Sequence, residues 1–260
     1  MTKVKLIATD MDGTLLDGKG QLPKEFYDIF SSLQRKEIIF CVASGRQYFT
    51  LLENFNEIAN QMLFIAENGT YVAYQGKELA IHPLEKEIAH ELIKEGRALG
   101  VDIILATSRG AYLESDHEPF VREVAKYYVK HEIVEDLLEI EGDILKVTIC
   151  DMRGAEAHSY SAFKKFSDRA QICIAGDIWI DMMANGVNKG TAIHDIQKKL
   201  GITFEETMVF GDYLNDLEMI QSGYYSYAME NAHPKLKEEA RFIAKSNVEN
   251  GVIEKIKEII

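Results

Sequence analysis

Val4-Lys5-Leu6-Ile7-Ala8-Thr9-Asp10-Met11-Asp12-Gly13-Thr14 joins a short apolar run to two carboxylates set two residues apart. The run from Val4 to Ala8 reads as a buried strand. Residues two apart in extended backbone project to the same side. Gly13 then lets the chain turn without a Cβ penalty. Two acids are thereby crowded at a strand tip, where they require a metal, a lysine or a shared proton. An ionised Asp can attack phosphorus, and a neighbour of raised pKa can give and take a proton. Taken alone, the stretch reads equally well as a solvated acidic turn.

The segments that follow repeat the opening grammar. Phe26, Ile29, Phe30 and Leu33 recur on one helical face behind Leu22-Pro23. Ile38 to Ala43 is a second buried strand, ending at Ser44-Gly45-Arg46. A helix over Tyr48 to Ala59 leads to a third strand, Met62 to Ala66, which ends at Glu67-Asn68-Gly69. Strand, helix, strand, helix, strand implies parallel pairing through helical crossovers.

The grammar then changes. Thr70–Tyr74 and Lys77–His82 read as a hairpin about Gln75-Gly76, and Leu84–Leu99 and Pro119–Tyr128 as helices. Ile103–Ala106 and Ala111–Glu114 read as short strands. Leu145, Val147 and Ile149 alternate with Lys146 and Thr148; Ile178, Ile180 and Met182 alternate with Trp179 and Asp181. Such alternation predicts antiparallel strands with one wetter face. The helix Ala155–Asp168 lies between them. From Asn188, a good N-cap for a helix over Lys189–Leu200, the first grammar resumes. A short strand, Met208–Phe210, ends at Gly211-Asp212. Strands over Tyr224–Ala228 and Phe242–Ala244 and a helix from Asn250 close the chain.

Composition sets limits. The chain has 260 residues, 47% of them hydrophobic and 27% charged, as in a globular protein. Its net charge of −13 argues against a nucleic-acid surface. It leaves a phosphorylated substrate open, because a bound cation and one lysine reverse the local field. Cys41, Cys150 and Cys173 lie in apolar runs without a C-x-x-C pair, so they read as small buried hydrophobes of a reducing compartment. The seven histidines show no metal spacing. The first strand begins almost at once, and no apolar run approaches a membrane span. The expectation is a cytoplasmic protein with no membrane or nucleic-acid partner; oligomeric state is not readable.

In an open parallel sheet, ligands bind outside the carboxyl ends of the strands. That rule places Asp10, Asp12, Ser44, Gly45, Asp212, Asn215 and Asp216 at one edge, with Lys189 in the first turn of a helix whose N-terminus favours an anion. Singly, Ser44-Gly45-Arg46 is an ordinary turn, Lys189 a solvated side chain, and Gly211–Asp216 a turn with a cap. Together, in this order, they read as a site.

Four segments, Asp10-Met11-Asp12-Gly13-Thr14-Leu15-Leu16, Ala43-Ser44-Gly45-Arg46, Asn188-Lys189-Gly190 and Gly211-Asp212-Tyr213-Leu214-Asn215-Asp216, resemble the signature motifs of the haloacid dehalogenase (HAD) superfamily. The likeness is to its Cof-type phosphatases, which carry a large α/β cap between the second and third motifs. Glu67-Asn68-Gly69, Ala228–Ala232 and Asn250-Gly251-Val252 echo it. Ser44 replaces a frequent Thr, and Glu230 stands where Gly is common. The resemblance implies an α/β fold: a Rossmann-like parallel-sheet core over residues 1–82 and 186–260, and an inserted α/β cap with an antiparallel sheet over 83–185. Hinges are expected near His82-Pro83 and Asn185-Gly186.

It further implies roles. Asp10 resembles the nucleophile that becomes an aspartyl-phosphate, and Asp12 the general acid–base. Ser44, Gly45 and Lys189 would hold the phosphoryl group. Mg2+ would be bound by Asp10, Asp212 and the backbone carbonyl of Asp12, with Asp216 supporting and Asn215 orienting it. Arg46 is open between ion pair and substrate contact. Asn68-Gly69 reads as turn structure. Tyr112, Arg122, Tyr127 and Trp179 are cap candidates for selecting the substrate. The expected reaction is Mg2+-dependent hydrolysis of a small phosphomonoester, such as a sugar phosphate. A phosphomutase and a phosphometabolite-binding regulator are the alternatives.

Overall fold

The structure is a computed structural model and describes residues 3–260. Met1 and Thr2, included in the expected core, lie outside the described residues. In chain order the strands are β1 (Leu6–Thr9), β2 (Ile39–Ala43), β3 (Leu63–Ala66), β4 (Tyr71–Tyr74), β5 (Lys77–Ile81), β6 (Asp102–Thr107), β7 (Gly110–Leu113), β8 (His131–Ile133), β9 (Ile144–Cys150), β10 (Ala170–Gly176), β11 (Trp179–Ala184), β12 (Thr207–Gly211), β13 (Tyr225–Met229) and β14 (Phe242–Ala244).

They form two sheets. The first is eight-stranded, in the order β14-β13-β12-β1-β2-β3-β4-β5. From β14 across to β3 every neighbouring pair is parallel, and β4 and β5 fold back antiparallel. Apart from Ile39 at the start of β2, the apolar side chains on both faces of β1–β3 are buried, as a sheet covered on both sides requires. Phe26 of the helix Phe26–Arg35 packs among Phe30, Phe40 and Phe55 on one such face. Register decides where the chemistry falls: Thr9 of β1 pairs with Phe210 of β12 and with Val42 of β2. The residues next in sequence, Asp10, Gly211-Asp212 and Ala43-Ser44, therefore leave the sheet side by side.

The second sheet is six-stranded, β10-β11-β9-β6-β7-β8, with all its strands between β5 and β12 in sequence. It is antiparallel except for the β7–β8 pair. Val147 and Ile149 of β9, and Ile180 and Met182 of β11, pack against Ile88 and Leu92 of the helix Lys86–Leu99 and against Phe163. The alternate residues Lys146, Thr148 and Asp181 point the other way. The expected wetter face is polar but not wet: Lys146, Thr148 and Asp181 are 1%, 2% and 3% exposed. That face is closed down on the carboxyl edge of the first sheet.

Three helices are shorter than periodicity suggests: the one expected over Ala155–Asp168 breaks into Ala155–His158 and Tyr160–Phe163, the one after β2 covers Tyr48–Asn54, and another covers Glu118–Val124. After Glu118–Val124 the Tyr127 carbonyl accepts from the Thr50 hydroxyl at 2.8 Å and from the Gln47 N–H, so the chain unwinds to reach across to the first sheet.

Candidate active site

The turn after β1 is fixed by Gly13, with φ of +80°. A Cβ there would lie 2.3 Å from Asp212 Oδ2, so glycine is required by backbone conformation and by space. The turn brings the Thr14 hydroxyl to Asp212 Oδ1 at 2.9 Å. Asp10, at the strand tip, is 7% exposed.

The helix Lys189–Leu200 begins at a reciprocal cap: the Asn188 side chain accepts from Thr191 N–H, and Thr191 Oγ1 accepts from Asn188 N–H. Its first residue, Lys189, is fully buried. Its ammonium donates to Asp10 Oδ1 at 2.6 Å and to Asp216 Oδ1 at 2.7 Å. Asp216 Oδ2 accepts from the backbone N–H groups of Asp212 and Tyr213, at 2.9 and 3.2 Å. One carboxylate oxygen each of Asp10, Asp212 and Asp216 lies within 4.8 Å of the others.

These carboxylates have one ammonium among them. Burial, then repulsion from Asp216, Asp212 and Asp12, lifts Asp10 well above its usual range despite Lys189. Burial and Asp216 push Asp212 up to about 7, against the Thr14 hydrogen bond and Lys189. For Lys189, burial alone would lower the pKa, but Asp10 and Asp216 outweigh it and keep the ammonium charged. The cluster sets three carboxyl groups against one ammonium and offers hard oxygen donors, which suits a divalent cation such as Mg2+. Both Asp216 oxygens accept hydrogen bonds, from Lys189 and two N–H groups, whereas Asp10 and Asp212 accept through Oδ1 and keep Oδ2 for such a cation.

Ser44 and Gly45 follow β2. Ser44 Oγ accepts from Arg46 N–H at 3.1 Å, which leaves its own proton to donate. Arg46 grips Asp12, Nε to Oδ2 at 2.8 Å and a terminal nitrogen to Oδ1 at 2.5 Å, and lies over the Tyr127 ring at 5.6 Å.

A cavity of about 340 Å³ joins the two sheets. Asp10, Asp12, Ser44, Gly45, Asp212 and Asn215 line one side; Tyr127, Trp179, Asp177, Asp181, Thr148 and Lys146 are among those on the other. Of the cap candidates, Tyr127 and Trp179 meet edge to face, ring centroids 5.9 Å apart, in this cavity. Tyr112 packs instead against the helix side of the second sheet, and Arg122 stands exposed on its helix. Asn215, expected to orient Asp216, donates to Asn68 Oδ1 at 3.1 Å. Asn68 in turn donates to Asp181 Oδ2 at 2.5 Å, so it is a contact between the two sheets and not turn structure alone. The sequence does not mark Lys146, Thr148, Asp181 or Glu67 as part of the site. The first three form the polar half of two alternating strands, which periodicity reads as a wetter face, and Glu67 sits in the turn after β3.

Over residues 7–256 the chain matches the model of the haloacid dehalogenase-like hydrolase family. It is 32% identical over 266 residues to 5-amino-6-(5-phospho-D-ribitylamino)uracil phosphatase YbjI of Escherichia coli strain K12, covering 99% of this chain and 96% of the relative. It is 24% identical over 240 residues to the HMP-PP phosphatase of Escherichia coli O6:H1, covering 90% of this chain and 87% of that one. Among solved structures, SMU.1108c of Streptococcus mutans UA159 superposes with a TM-score of 0.92 at 32% identity, over 98% of both chains.

Proposed function

Since the chain belongs to the haloacid dehalogenase-like hydrolases and is a phosphoric monoester hydrolase, we propose that it cleaves a small phosphorylated metabolite through a phosphoryl group carried on Asp10. The observation that carries this reading is the Lys189 ammonium bonded to both Asp10 and Asp216 in a buried cluster with Asp212. Asp10 attacks phosphorus in line. Asp12 protonates the leaving oxygen, then takes a proton from the water that cleaves the acyl phosphate. The Ser44 hydroxyl, the Gly45 N–H and Lys189 hold the phosphoryl oxygens. Asp10, Asp212 and the Asp12 carbonyl would hold Mg2+, which would supply charge neutralisation at the transferring group. Residues 83–185 serve as the lid that shuts water out and selects the leaving group.

The lid's wall speaks to the leaving group. It presents Asp177 beside Tyr127 and Trp179, while Lys146 and Asp181 are paired with each other and Lys146 also with Glu67. A leaving group with hydroxyl or amine donors and a planar part suits that wall; a second phosphate meets the Asp177 carboxylate with no unpaired lysine of the wall to offset it. 5-Amino-6-(5-phospho-D-ribitylamino)uracil, named in the Escherichia coli relative, carries ribityl hydroxyls, an amine and a uracil ring. This favours a phosphatase over a phosphomutase working on a bisphosphate. It also favours turnover over stable phospho-acceptance, since Asp12 lies two residues from the nucleophile. The test is a panel of that compound, hexose monophosphates and a hexose bisphosphate with Mg2+, read as released phosphate. The ribityl compound should give the highest kcat/KM and the bisphosphate the lowest; a preference for the bisphosphate would overturn this assignment.

A further inference from the structure

Lys146 sits on β9 of the second sheet, yet its ammonium is spent largely on the first. It donates to the Gly45 carbonyl at 2.9 Å and to Asp181 Oδ2 at 3.0 Å, and lies 2.8 Å from Glu67 Oε2 in an ion pair. Lys146 and Glu67 are each 1% exposed and Asp181 is 3% exposed. A buried ion group of this kind adds little net stability over apolar packing, but it is intolerant of altered geometry. Its use is positional.

What it positions is one peptide plane. The Gly45 carbonyl belongs to the Gly45–Arg46 peptide, whose N–H donates to Ser44 Oγ. The plane is thus held at its oxygen by Lys146 and at its nitrogen by Ser44. Rotating it would withdraw the N–H from Ser44 and free the hydroxyl to turn its proton elsewhere. Three more contacts bring the second sheet's chain onto the end of that loop and the helix that follows it. Gln47 Nε2 donates to the Lys130 carbonyl at 2.9 Å, Gln47 Oε1 accepts from Lys130 N–H at 3.1 Å, and Thr50 Oγ1 accepts from Val129 N–H at 3.1 Å. The loop after β2 is therefore where the seating of the inserted unit is felt.

We propose that Lys146 is a positioning residue that makes the phosphate-binding posture of Ser44 conditional on the inserted unit being seated, acting through the Gly45–Arg46 peptide. This rests on Ser44 holding phosphate, as in the reading above. With the unit lifted, Lys146 leaves Gly45, the peptide loses its outer restraint and the loop binds phosphate weakly. With it seated, the loop is set before phosphate arrives.

The test is a double-mutant cycle on Ser44→Ala and Lys146→Met, read as the dissociation constant of inorganic phosphate by calorimetry with saturating Mg2+. In the wild-type background Lys146→Met should weaken phosphate binding about tenfold, the size of one lost hydrogen bond to a charged group. In the Ser44→Ala background the same change should cost less than about twofold, because the residue it acts through is gone. Equal losses in both backgrounds, or none in either, overturn the proposal, since a purely structural lysine moves the melting temperature and not this coupling. Should Lys146→Met fail to fold, Lys146→Met/Glu67→Gln leaves Asp181 bonded by Asn68 and Thr148 and carries the same cycle. Wild-type turnover with no coupling defeats this inference alone. The expected coupling without turnover on any ester defeats the phosphatase reading alone.

Discussion

Arg46 holds Asp12 with two nitrogens of its guanidinium, at 2.8 and 2.5 Å, and the arginine side chain is 13% exposed while the aspartate is 47% exposed. The pair fixes the proposed acid–base at the cavity mouth, and the Tyr127 ring lies against the same guanidinium. Asp12 is thus aimed, not loose. Arg46→Met should lower kcat about 10- to 100-fold, the penalty of a misplaced catalytic group. Arg46→Lys should recover little of it, because an ammonium has no fork to match both oxygens. Steady-state kinetics on the two variants checks this; full activity of Arg46→Lys would show that charge alone suffices.

Acid repulsion at the strand edge gives a pH dependence with a definite sign. Burial and neighbouring carboxylates raise Asp10 and Asp212 in the folded chain, so the folded state holds protons that the unfolded state has released. Stability from this source is present at low pH and is lost as pH rises from the ordinary carboxylate value of 3.8 through about 7 for Asp212. In EDTA, the wild-type melting temperature should fall between pH 5 and pH 8, by roughly 2–4 °C per kcal/mol lost. Asp212→Asn should flatten that slope. Adding Mg2+ should raise the melting temperature more at pH 8 than at pH 5, since cation binding must displace those protons. A melting curve independent of pH and of Asp212 would contradict this.

Gly190 stands in the first turn of the helix Lys189–Leu200, where alanine is ordinarily the better residue by about 1 kcal/mol. Here a Cβ would fall 2.4 Å from the Glu218 carbonyl oxygen. Gly190→Ala must push the helix off its neighbour and carry Lys189 away from Asp10. The expected result is a lower melting temperature together with lost activity. Thermal melts and kinetics on this one variant check both; a stabilised, active protein would show that the contact yields.

Much of this was legible in the chain. The run into Asp10, the paired acids and Gly13 fix a strand tip and its turn, and the strand-end rule then gathers Ser44, Lys189 and Asp212. What could not be read was how the inserted unit sits on that edge. Lys146 and Asp181 alternate with Val147 and Ile180 as they would on a half-solvated sheet, and periodicity cannot distinguish water from a buried polar partner. Their partners, Glu67, Gly45 and Asn68, are distant in sequence and come near only through tertiary packing. Asn68 misled for a related reason: its φ of +57° fits turn chemistry, which hides the amide's contacts with Asp181 and Asn215.

The most direct measurement is phosphate release from 5-amino-6-(5-phospho-D-ribitylamino)uracil by the wild type and by Asp10→Asn, each with Mg2+ and with EDTA. The expected result is turnover only in the wild type with Mg2+, with Asp10→Asn folded and inert. Comparable rates for Asp10→Asn, or undiminished wild-type rates in EDTA, would contradict a metal-assisted attack by Asp10.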